Sequence, residues 1–418
     1  MTRKRKKYIW ITIVLVLIGL GVWVHDRSRA WFHNPPEAPY TASKIPSRVL
    51  LTFGNEGELS RMVSWTCGDE VDTNAALLLA NSIDTIRIKA VGEVFESRSG
   101  KAAFYRAELL KLDANHTYHY AVQTNGAQSD WYSFTTSNPD SKTFSFLYMG
   151  DVQDTINGVA NILLKQAINK HPEVEFVAFG GDLIERPMDA YFAETFRSID
   201  SVCTAMPIVN ITGNHDYLKY LIRKCERRFA LTFPYFLKGM EERGDKNHLF
   251  SFVYHNTQFF LLDSERGAYF LYQQHSWLKK RLEESKTRHK IVMLHHPLYS
   301  VKKKNNNLVQ RWAFNDMIQK AGVELVLQGH EHGYTHCTSS EEPLTGNDCM
   351  NPPLYTVSHC SPKNYKLKPT GRFSPVLSDS RYYQLIRVDD AAITMLAFDA
   401  NTQQMVDSVR ICPSVTNR

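Results

Sequence analysis

The spacing of hydrophobic and polar positions changes near residue 140, after the turn-rich segment Ser137-Asn138-Pro139-Asp140. Before this point, short segments rich in β-branched and aromatic residues recur about every ten residues with little helical periodicity, which is typical of a β-sandwich. We therefore predict an all-β domain over residues 47–138. Its strands are expected at 48–53, 62–65, 75–79, 85–90, 103–110, 117–123 and 131–135.

Beyond residue 142, apolar runs of strand length alternate with amphipathic stretches, and this alternation predicts an α/β domain over residues 142–412. Strands are expected at 144–149, 176–179, 207–212, 259–262, 290–294 and 324–327, followed by an antiparallel closing pair at 382–388 and 393–399. Helices are expected at 156–169, 191–202, 273–285 and 308–321.

The N-terminus reads as a membrane anchor. Residues 8–24 form a run of 17 uncharged residues directly after the basic segment 1–7, at the short end of what spans a bilayer. A cleaved signal peptide has the same basic start and apolar middle, but the charged, bulky segment 25–29 lacks a small-residue cleavage site. We therefore expect an uncleaved signal anchor, followed by a Pro-containing linker over residues 25–46. With the basic cluster held inside, the rest of the chain lies outside the cytoplasm, in a periplasmic or extracellular space.

Charge argues against a nucleic-acid partner. The chain has a net charge of +6, but residues 1–30 hold seven of its 49 Lys and Arg and only one of its 43 Asp and Glu. The remaining chain therefore carries 42 side chains of each sign and offers no electrostatic basis for binding a polyanion.

Seven cysteines cannot all pair within one chain. Cys337, Cys349 and Cys360 fall in one loop-like stretch, so a disulfide among them is expected if the compartment is oxidising. The alternative, in which all seven are buried thiols, remains open.

Five of the expected α/β strands end in side chains that can bind metals. Because ligands of open α/β sheets collect at the carboxyl ends of the strands, these five loops should converge on one cleft. Each loop alone could be an ordinary turn or helix cap, but all five in order predict a metal site. Its members are Asp151 and Gln153, then Asp182, then Asn214, His215 and Asp216, then His295 and His296, and finally His330 and His332.

The expected ligand set consists of two carboxylates, one amide oxygen and three imidazoles, which suits two divalent ions such as Mn, Fe or Zn better than Ca or Mg. One carboxylate can bridge both ions, and we assign that role to Asp182. Two such ions exceed the charge of two carboxylates and a hydroxide, so the centre stays positive toward a phosphate ester.

The ordered motifs resemble the calcineurin-like metallophosphoesterase superfamily, and the preceding sandwich resembles its purple acid phosphatase branch. The resemblance covers about residues 47–411, and the segment from Leu112 to Tyr118 also looks like the tyrosine corner of fibronectin type III sandwiches. It implies a fibronectin III-like domain followed by a four-layer αββα sandwich. It also implies one metal held by Asp151, Asp182 and His332, and another held by Asp182, Asn214, His295 and His330.

By the same resemblance, metal-bound hydroxide attacks the substrate and His215 stabilises or protonates the leaving oxygen, with Asp216 orienting His215. The His-x-Pro pattern of the family selects His295 as the ligand. His296 then faces the substrate or packs against its neighbours.

Two positions depart from the purple acid phosphatase pattern. Glu185 stands where those enzymes carry a Tyr three residues after the bridging Asp, and Gln153 stands in place of their Gly. Without a phenolate ligand, two divalent ions are expected rather than a ferric pair. Gln153 either ligates a metal through its amide oxygen or only forms hydrogen bonds, and Glu185 should lie just outside the ligand set.

The expected function is hydrolysis of small phosphomonoesters outside the cytoplasm. A phosphodiesterase acting on a nucleotide, lipid or wall-polymer phosphate is the nearest alternative, and loops 263–272, 299–307 and 363–381 should set the substrate. A non-catalytic adhesion module is a further alternative, although all six core ligand types are present. The oligomeric state is left open.

Overall fold

The computed structural model describes residues 3–55, 57–80, 84–235, 248–302, 307–339, 349–367 and 371–413. It begins with helix α1 (Arg3–Phe32), which continues past the apolar run because charged residues 25–29 do not interrupt helical geometry. Within the described residues, α1 alone is long and apolar enough to cross a membrane, over Lys4–Ser28. By length and composition, a signal sequence would pass the same test.

A β-sandwich follows α1, as the sequence predicted. Its strands are β1 (Ser47–Gly54), β2 (Gly57–Thr66), β3 (Ala76–Ala80), β4 (Thr85–Lys89), β5 (Val91–Glu96), β6 (Lys101–Leu109), β7 (Thr117–Thr124), β8 (Ala127–Gln128) and β9 (Tyr132–Thr135). One sheet has the order β1-β2-β6-β5, and the other has the order β4-β3-β7-β8 with β9 also paired to β7. The sheets enclose a core in which Trp65 stacks on Tyr105 at a centroid distance of 5.6 Å.

The α/β domain contains two further large sheets. It also contains the four helices that the sequence predicted. Its first strands and helices are β10 (Thr143–Met149), α2 (Ala160–Lys170), β11 (Val174–Phe179), α3 (Asp189–Cys203), β12 (Ile208–Asn210), β13 (Tyr217–Leu218), β14 (Lys224–Cys225) and α4 (Arg227–Thr232). Those that follow are β15 (Phe250–Tyr254), β16 (Thr257–Leu261), α5 (Ala268–Glu284), β17 (His289–Met293), α6 (Leu308–Lys320) and β18 (Leu325–Gln328). The last are β19 (Tyr334–Cys337), β20 (Leu354–Val357), β21 (Val376–Leu377), β22 (Tyr382–Asp389), β23 (Ile393–Asp399) and β24 (Met405–Ile411).

The two sheets form the middle layers of an αββα sandwich. Their strand orders are β12-β11-β10-β22-β23-β24 and β15-β16-β17-β18-β20-β19-β21. Aromatic side chains fill the space between them, and Phe146 and Phe176 stack at 4.7 Å while Phe259 meets both rings edge-on. Helices α5 and α6 cover the second sheet through residues such as Leu278 and Phe314. Helices α2 and α3 join the cluster around the first sheet.

Strand β1 belongs to the packing of both domains. Val49 and Leu51 point into the sandwich core, whereas Leu50 joins the α/β core because side chains alternate across a strand. Phe53, near the end of β1, also packs into the α/β core. The Phe53 ring stacks on Phe252 at a centroid distance of 4.4 Å. The sandwich is therefore packed directly onto the α/β domain.

The disulfide differs from the expected pairing within residues 337–360. Cys349 bonds to Cys412, because the bridge between Met350 and Ile411 carries the end of β24 back to this loop. Cys337 and Cys360 are buried thiols, so neither of them is a partner of Cys349.

Candidate metal centre

Two groups of parallel strands point their carboxyl ends toward one edge of the molecule. Strands β10, β11 and β12 are parallel in the first sheet, and β16, β17, β18 and β20 are parallel in the second. The loops after five of these strands carry the side chains that the sequence singled out. Because both sheets present the same edge, residues separated by up to about 180 positions in the chain meet there.

The centre of the site is a buried group of Asp151, Asp182 and His295, whose potential ligand atoms all lie within 4.8 Å of one another. The His295 Nε2 atom is 3.2 Å from Asp182 Oδ2 and 3.9 Å from Asp151 Oδ1. Such close packing of two carboxylates and an imidazole is typical of a metal site.

Four more predicted side chains surround this group. Asn214 Oδ1 lies 2.8 Å from His330 Nδ1 and 3.3 Å from His295 Nε2. On the other side, His332 Nε2 lies 3.7 Å from Asp151 Oδ1, and Gln153 Nε2 lies 3.4 Å from His332 Nε2. The structure therefore brings all seven predicted ligand candidates into one site.

The backbone is strained where it presents these groups. Asp151, Asp182 and His330 have φ angles of 40°, 50° and 69°, in the left-handed region that non-glycine residues seldom occupy. Gly213 is also required, because a Cβ atom there would lie 2.1 Å from Asp182 Oδ1. Such strain is common where a fold holds functional groups in place.

Backbone carbonyls fix the protonation of two imidazoles. His295 Nδ1 donates to the carbonyl of Gly180 at 2.8 Å, and His332 Nδ1 donates to the carbonyl of Lys363. Because a carbonyl only accepts, each Nδ1 carries a proton, and each Nε2 is the ring atom that remains to bind a metal. Both Nε2 atoms face the carboxylates, as metal-binding imidazoles require.

The buried oxygens of the site would be stabilised by an added positive charge. Burial raises the pKa of Asp151 to about 8, although the charge of His295 acts in the opposite direction. Burial also lowers the pKa of His332, to about 4, so that this imidazole is neutral at pH 7. Two buried oxygens, Asp151 Oδ1 and Gln153 Oε1, have no hydrogen-bond donor among the described residues. A bound cation would satisfy these oxygens and let Asp151 ionise, so the residues fit the expected metals.

His215 and Asp216 do not form the pair that the sequence predicted. His215 Nδ1 donates to the backbone carbonyl of Glu185 at 2.6 Å, and this bond, rather than Asp216, orients the ring. The Asp216 carboxylate instead accepts from the backbone N–H of Gly213 at 2.8 Å, inside the 3-10 turn Asn214–Asp216. The two side chains have different partners because the 3-10 turn directs adjacent residues to different sides.

His296 lies at the border of the site. Its Nδ1 atom is 3.0 Å from Ser264 Oγ, its Nε2 atom is 3.3 Å from Glu265 Oε2, and its ring centroid is 4.4 Å from that of His330. Burial lowers its pKa to about 3, with His295 acting in the same direction, so the ring is neutral. These contacts hold His296 against the candidate ligand His330.

Comparisons with known families agree with this geometry. Residues 144–334 match the calcineurin-like phosphoesterase family, and residues 46–136 match the N-terminal domain of purple acid phosphatases. The α/β domain belongs to the calcineurin-like phosphoesterase family. No curated protein gives a significant match. Among solved structures, GAP50, described as the anchor in the inner membrane complex of Plasmodium, aligns with a TM-score of 0.48 and 14% identity. The alignment covers 66% of this chain and 91% of GAP50.

The protein has a cleft of about 430 Å³ beside the metal candidates, lined by residues that include Asn214, His215 and Glu185. The Glu185 carboxylate is 4.0 Å from His215 Nδ1 and 35% exposed, so it faces the cleft. The resemblance had placed Glu185 just outside the ligands, and this position agrees with that expectation.

The sequence did not single out the other groups that line the cleft. They include the basic residues Arg98, Arg186, Lys219 and Arg223 and a segment just after α1, His33, Asn34 and Pro35. No local motif marks them, because the linker and a short hairpin reach the cleft only in the folded chain. Of the loops expected to set the substrate, residues 303–306 and 368–370 lie outside the described residues.

Proposed function

We propose that this phosphoesterase is a membrane-anchored, dinuclear metal-dependent hydrolase of phosphomonoesters that acts outside the cytoplasm. The observation that carries the proposal is the buried Asp151, Asp182 and His295 group, surrounded by four further donors and open to a basic-lined cleft. A carboxylate pair with an unpartnered buried oxygen has no evident stabilising role without a cation.

Two ions account for the arrangement of donors better than one. Asp182 lies within 4.8 Å of both Asp151 and His295, which we assign to different ions, and this position suits a bridging carboxylate. We assign Asp151, Asp182 and His332 to one ion, with Gln153 as an added donor whose amide oxygen has no other partner among the described residues. We assign Asp182, Asn214, His295 and His330 to the second ion. Mn, Fe and Zn match these donors.

When bound, the ions would supply a nucleophile derived from water and positive charge for the phosphoryl oxygens. His215 would hold the proton that the leaving oxygen needs. Its Nδ1 is fixed by the Glu185 carbonyl, so Nε2 faces the site, 4.0 Å from Asp182 Oδ2. The exposed Arg186 and the nearby Arg223 line the same cleft and would attract a small anionic substrate.

The anchor assignment rests on the apolar helix α1 and its preceding basic cluster. The span Lys4–Ser28 is not buried against the rest of the chain, as expected for a helix that meets lipid. With residues 1–7 retained in the cytoplasm, the site lies on the opposite side of the membrane.

The proposal is tested by metal analysis of the purified full chain in detergent, combined with hydrolysis of chromogenic phosphate esters. We expect about two divalent ions per chain, turnover of a monoester with Mn, Fe or Zn, and loss of activity with a chelator. Asp182→Ala should abolish turnover and lower metal content. Asp200→Ala, which removes an exposed carboxylate on α3, is the matched control and should change neither.

The alternatives give different results in the same assays. Faster turnover of the diester would favour a phosphodiesterase. Bound metal without hydrolysis of either ester would favour a non-catalytic binding module and contradict the proposal.

A further inference from the structure

A small hairpin at the edge of the cleft exposes three consecutive apolar side chains. Strands β13 and β14 pair antiparallel, and the loop between them carries Tyr220, Leu221 and Ile222. These side chains are 49%, 88% and 81% exposed. We refer to residues 220–222 as the apolar tip. In the sequence the tip is flanked by basic residues, Lys219 before it and Arg223 and Lys224 after it.

The base of this hairpin is fixed to the segment that leaves the anchor helix. Asn34 Nδ2 donates to the carbonyl of Lys219 at 2.8 Å, and the N–H of Lys219 donates to Asn34 Oδ1 at the same distance. Helix α1 ends at Phe32, and two residues of chain span at most about 7 Å. The hairpin is therefore held next to the end of α1, wherever α1 lies.

Further contacts make this attachment rigid. The carbonyl of Pro35 accepts from Arg98 Nη1 at 2.7 Å. Glu37 forms a buried ion pair with Arg228 at 2.8 Å, with side chains only 2% and 1% exposed. Within five residues of the anchor helix, the linker is thus fixed to the β-sandwich through Arg98 and to the α/β domain through Arg228.

The same hairpin borders the candidate active site. Tyr217 directly follows the Asn214–Asp216 turn, and Lys219 and Arg223 line the cleft together with His215 and Asn34. The end of the anchor, the apolar tip and the rim of the cleft are therefore continuous. If α1 crosses a membrane, the cleft lies beside the membrane surface.

A second exposed apolar set lies at the same edge of the α/β domain. Helices α5 and α6 follow parallel strands, so they begin at the edge where those strands end. Tyr269 and Tyr272 near the start of α5 are 68% and 64% exposed, and Trp312 near the start of α6 is 80% exposed. Tyr and Trp favour the membrane–water interface, where an apolar ring and a polar tip are both accommodated.

We propose that the apolar tip inserts into the bilayer interface beside the anchor and that the cleft receives the phosphorylated headgroup of a membrane lipid. The substrate part of this inference rests on the proposed phosphoesterase function, whereas the insertion of the tip does not. Apolar side chains flanked by basic residues bind lipid surfaces through burial and through attraction to anionic headgroups. The cleft then faces substrate that diffuses in the same plane as the enzyme.

Insertion is tested with the full chain reconstituted in vesicles that contain a nitroxide-labelled lipid. Leu221→Cys, labelled with an environment-sensitive fluorophore, is expected to be quenched strongly. Asp390→Cys is the control, since this exposed residue lies in the β22–β23 turn at the opposite ends of the strands. The five free cysteines of the chain are buried and should not compete for the label. Equal quenching at the two positions would overturn the proposal. Disulfide-linked dimers of Leu221→Cys with an unquenched label would do so as well, because the tip would then contact a second copy.

The substrate class is tested with phosphatidate in vesicles and a soluble chromogenic monoester. In Leu221→Ser/Ile222→Ser, we expect the ratio of phosphatidate hydrolysis to soluble-ester hydrolysis to fall about tenfold, because the cleft is no longer held at the lipid surface. Met405→Ser/Val406→Ser is a matched control on β24, the edge strand of the first α/β sheet at the opposite end from β12, and should not change the ratio.

The outcomes separate this inference from the proposed function. Hydrolysis of the soluble ester without hydrolysis of phosphatidate, or an unchanged ratio in the tip variant, would overturn the lipid substrate and leave the phosphoesterase intact. If wild type hydrolyses neither ester, both the proposed function and the lipid substrate fail, while the quenching measurement still decides whether the tip inserts.

Discussion

His215 and Asp216 are adjacent in the chain, but their side chains have separate roles. His215 is 28% exposed, faces the cleft and is oriented by a backbone carbonyl. Asp216 is 2% exposed and closes the turn that presents Asn214. At the scale of single residues, His215 should therefore govern turnover, and Asp216 should govern the free energy of unfolding.

Replacing His215 should slow turnover without removing metal. We expect His215→Ala to lower kcat by about 10²–10⁴-fold, the usual contribution of a general acid. Metal content should stay near that of the wild type, since the ring is not among the proposed ligands. Parallel measurement of kcat and bound metal checks this, and loss of metal would contradict the assigned role.

Replacing Asp216 should act mainly on folding. Asp216→Ala leaves the buried N–H of Gly213 without its acceptor, which costs about 1–3 kcal/mol in the free energy of unfolding. Asp216→Asn keeps an acceptor oxygen and should recover most of that loss. Urea unfolding of the metal-free protein measures both variants. If Asp216→Asn is no more stable to unfolding than Asp216→Ala, the Asp216 carboxylate does not act as the acceptor for Gly213.

At the scale of elements, the loops after the parallel strands are built so tightly that they need glycine. A Cβ atom on Gly213 would lie 2.1 Å from Asp182 Oδ1 and 2.4 Å from its backbone nitrogen. Neither atom can move without shifting the strained Asp182 backbone, whose φ is 50°.

Gly213→Ala should therefore displace Asp182 and sharply reduce metal binding and turnover. The matched control is Gly267→Ala, since Gly267 has a φ of −62° and an added Cβ atom would meet nothing within 4 Å. Metal analysis and the chromogenic assay compare the two. Full metal content in Gly213→Ala would show that the loop has room that the structure does not indicate.

At the scale of the whole molecule, the two domains share a strand. Because β1 fills the sandwich core with one face and the α/β core with the other, neither domain keeps its native core without the other. The partly buried Arg48–Asp189 pair, at 2.7 Å, adds a polar contact across the same interface.

The two domains should consequently unfold together. Phe53 is 1% exposed and packs among α/β rings, so Phe53→Ala should lower the free energy of unfolding by about 3–5 kcal/mol. Scanning calorimetry should show one transition that shifts as a whole in the variant. Two separate transitions, with only one affected, would contradict a shared core.

The sequence by itself determined the order of the domains, four of the five α-helices described in the α/β domain and the grouping of the metal-site candidates. Apolar periodicity fixes elements that are long and buried on one face, and this is why α3 and α6 were predicted within a few residues of their bounds. Strands β15, β19, β20 and β24 were missed, because short or irregular runs carry too little periodic signal. The ligand candidates were found because a parallel sheet collects its strand ends at one edge, whatever the length of the connections.

Only the tertiary structure decided the long-range contacts that do not follow from the convergence of parallel strand ends. It paired Cys349 with Cys412, gave the orientation of His215 to the Glu185 carbonyl and brought Asn34 to the rim of the cleft. The physical reason is that these contacts depend on the direction of each turn and on packing between distant segments, which no local pattern encodes. Local chemistry therefore specified what the site contains, and folding specified how its parts are oriented and what lies beside them.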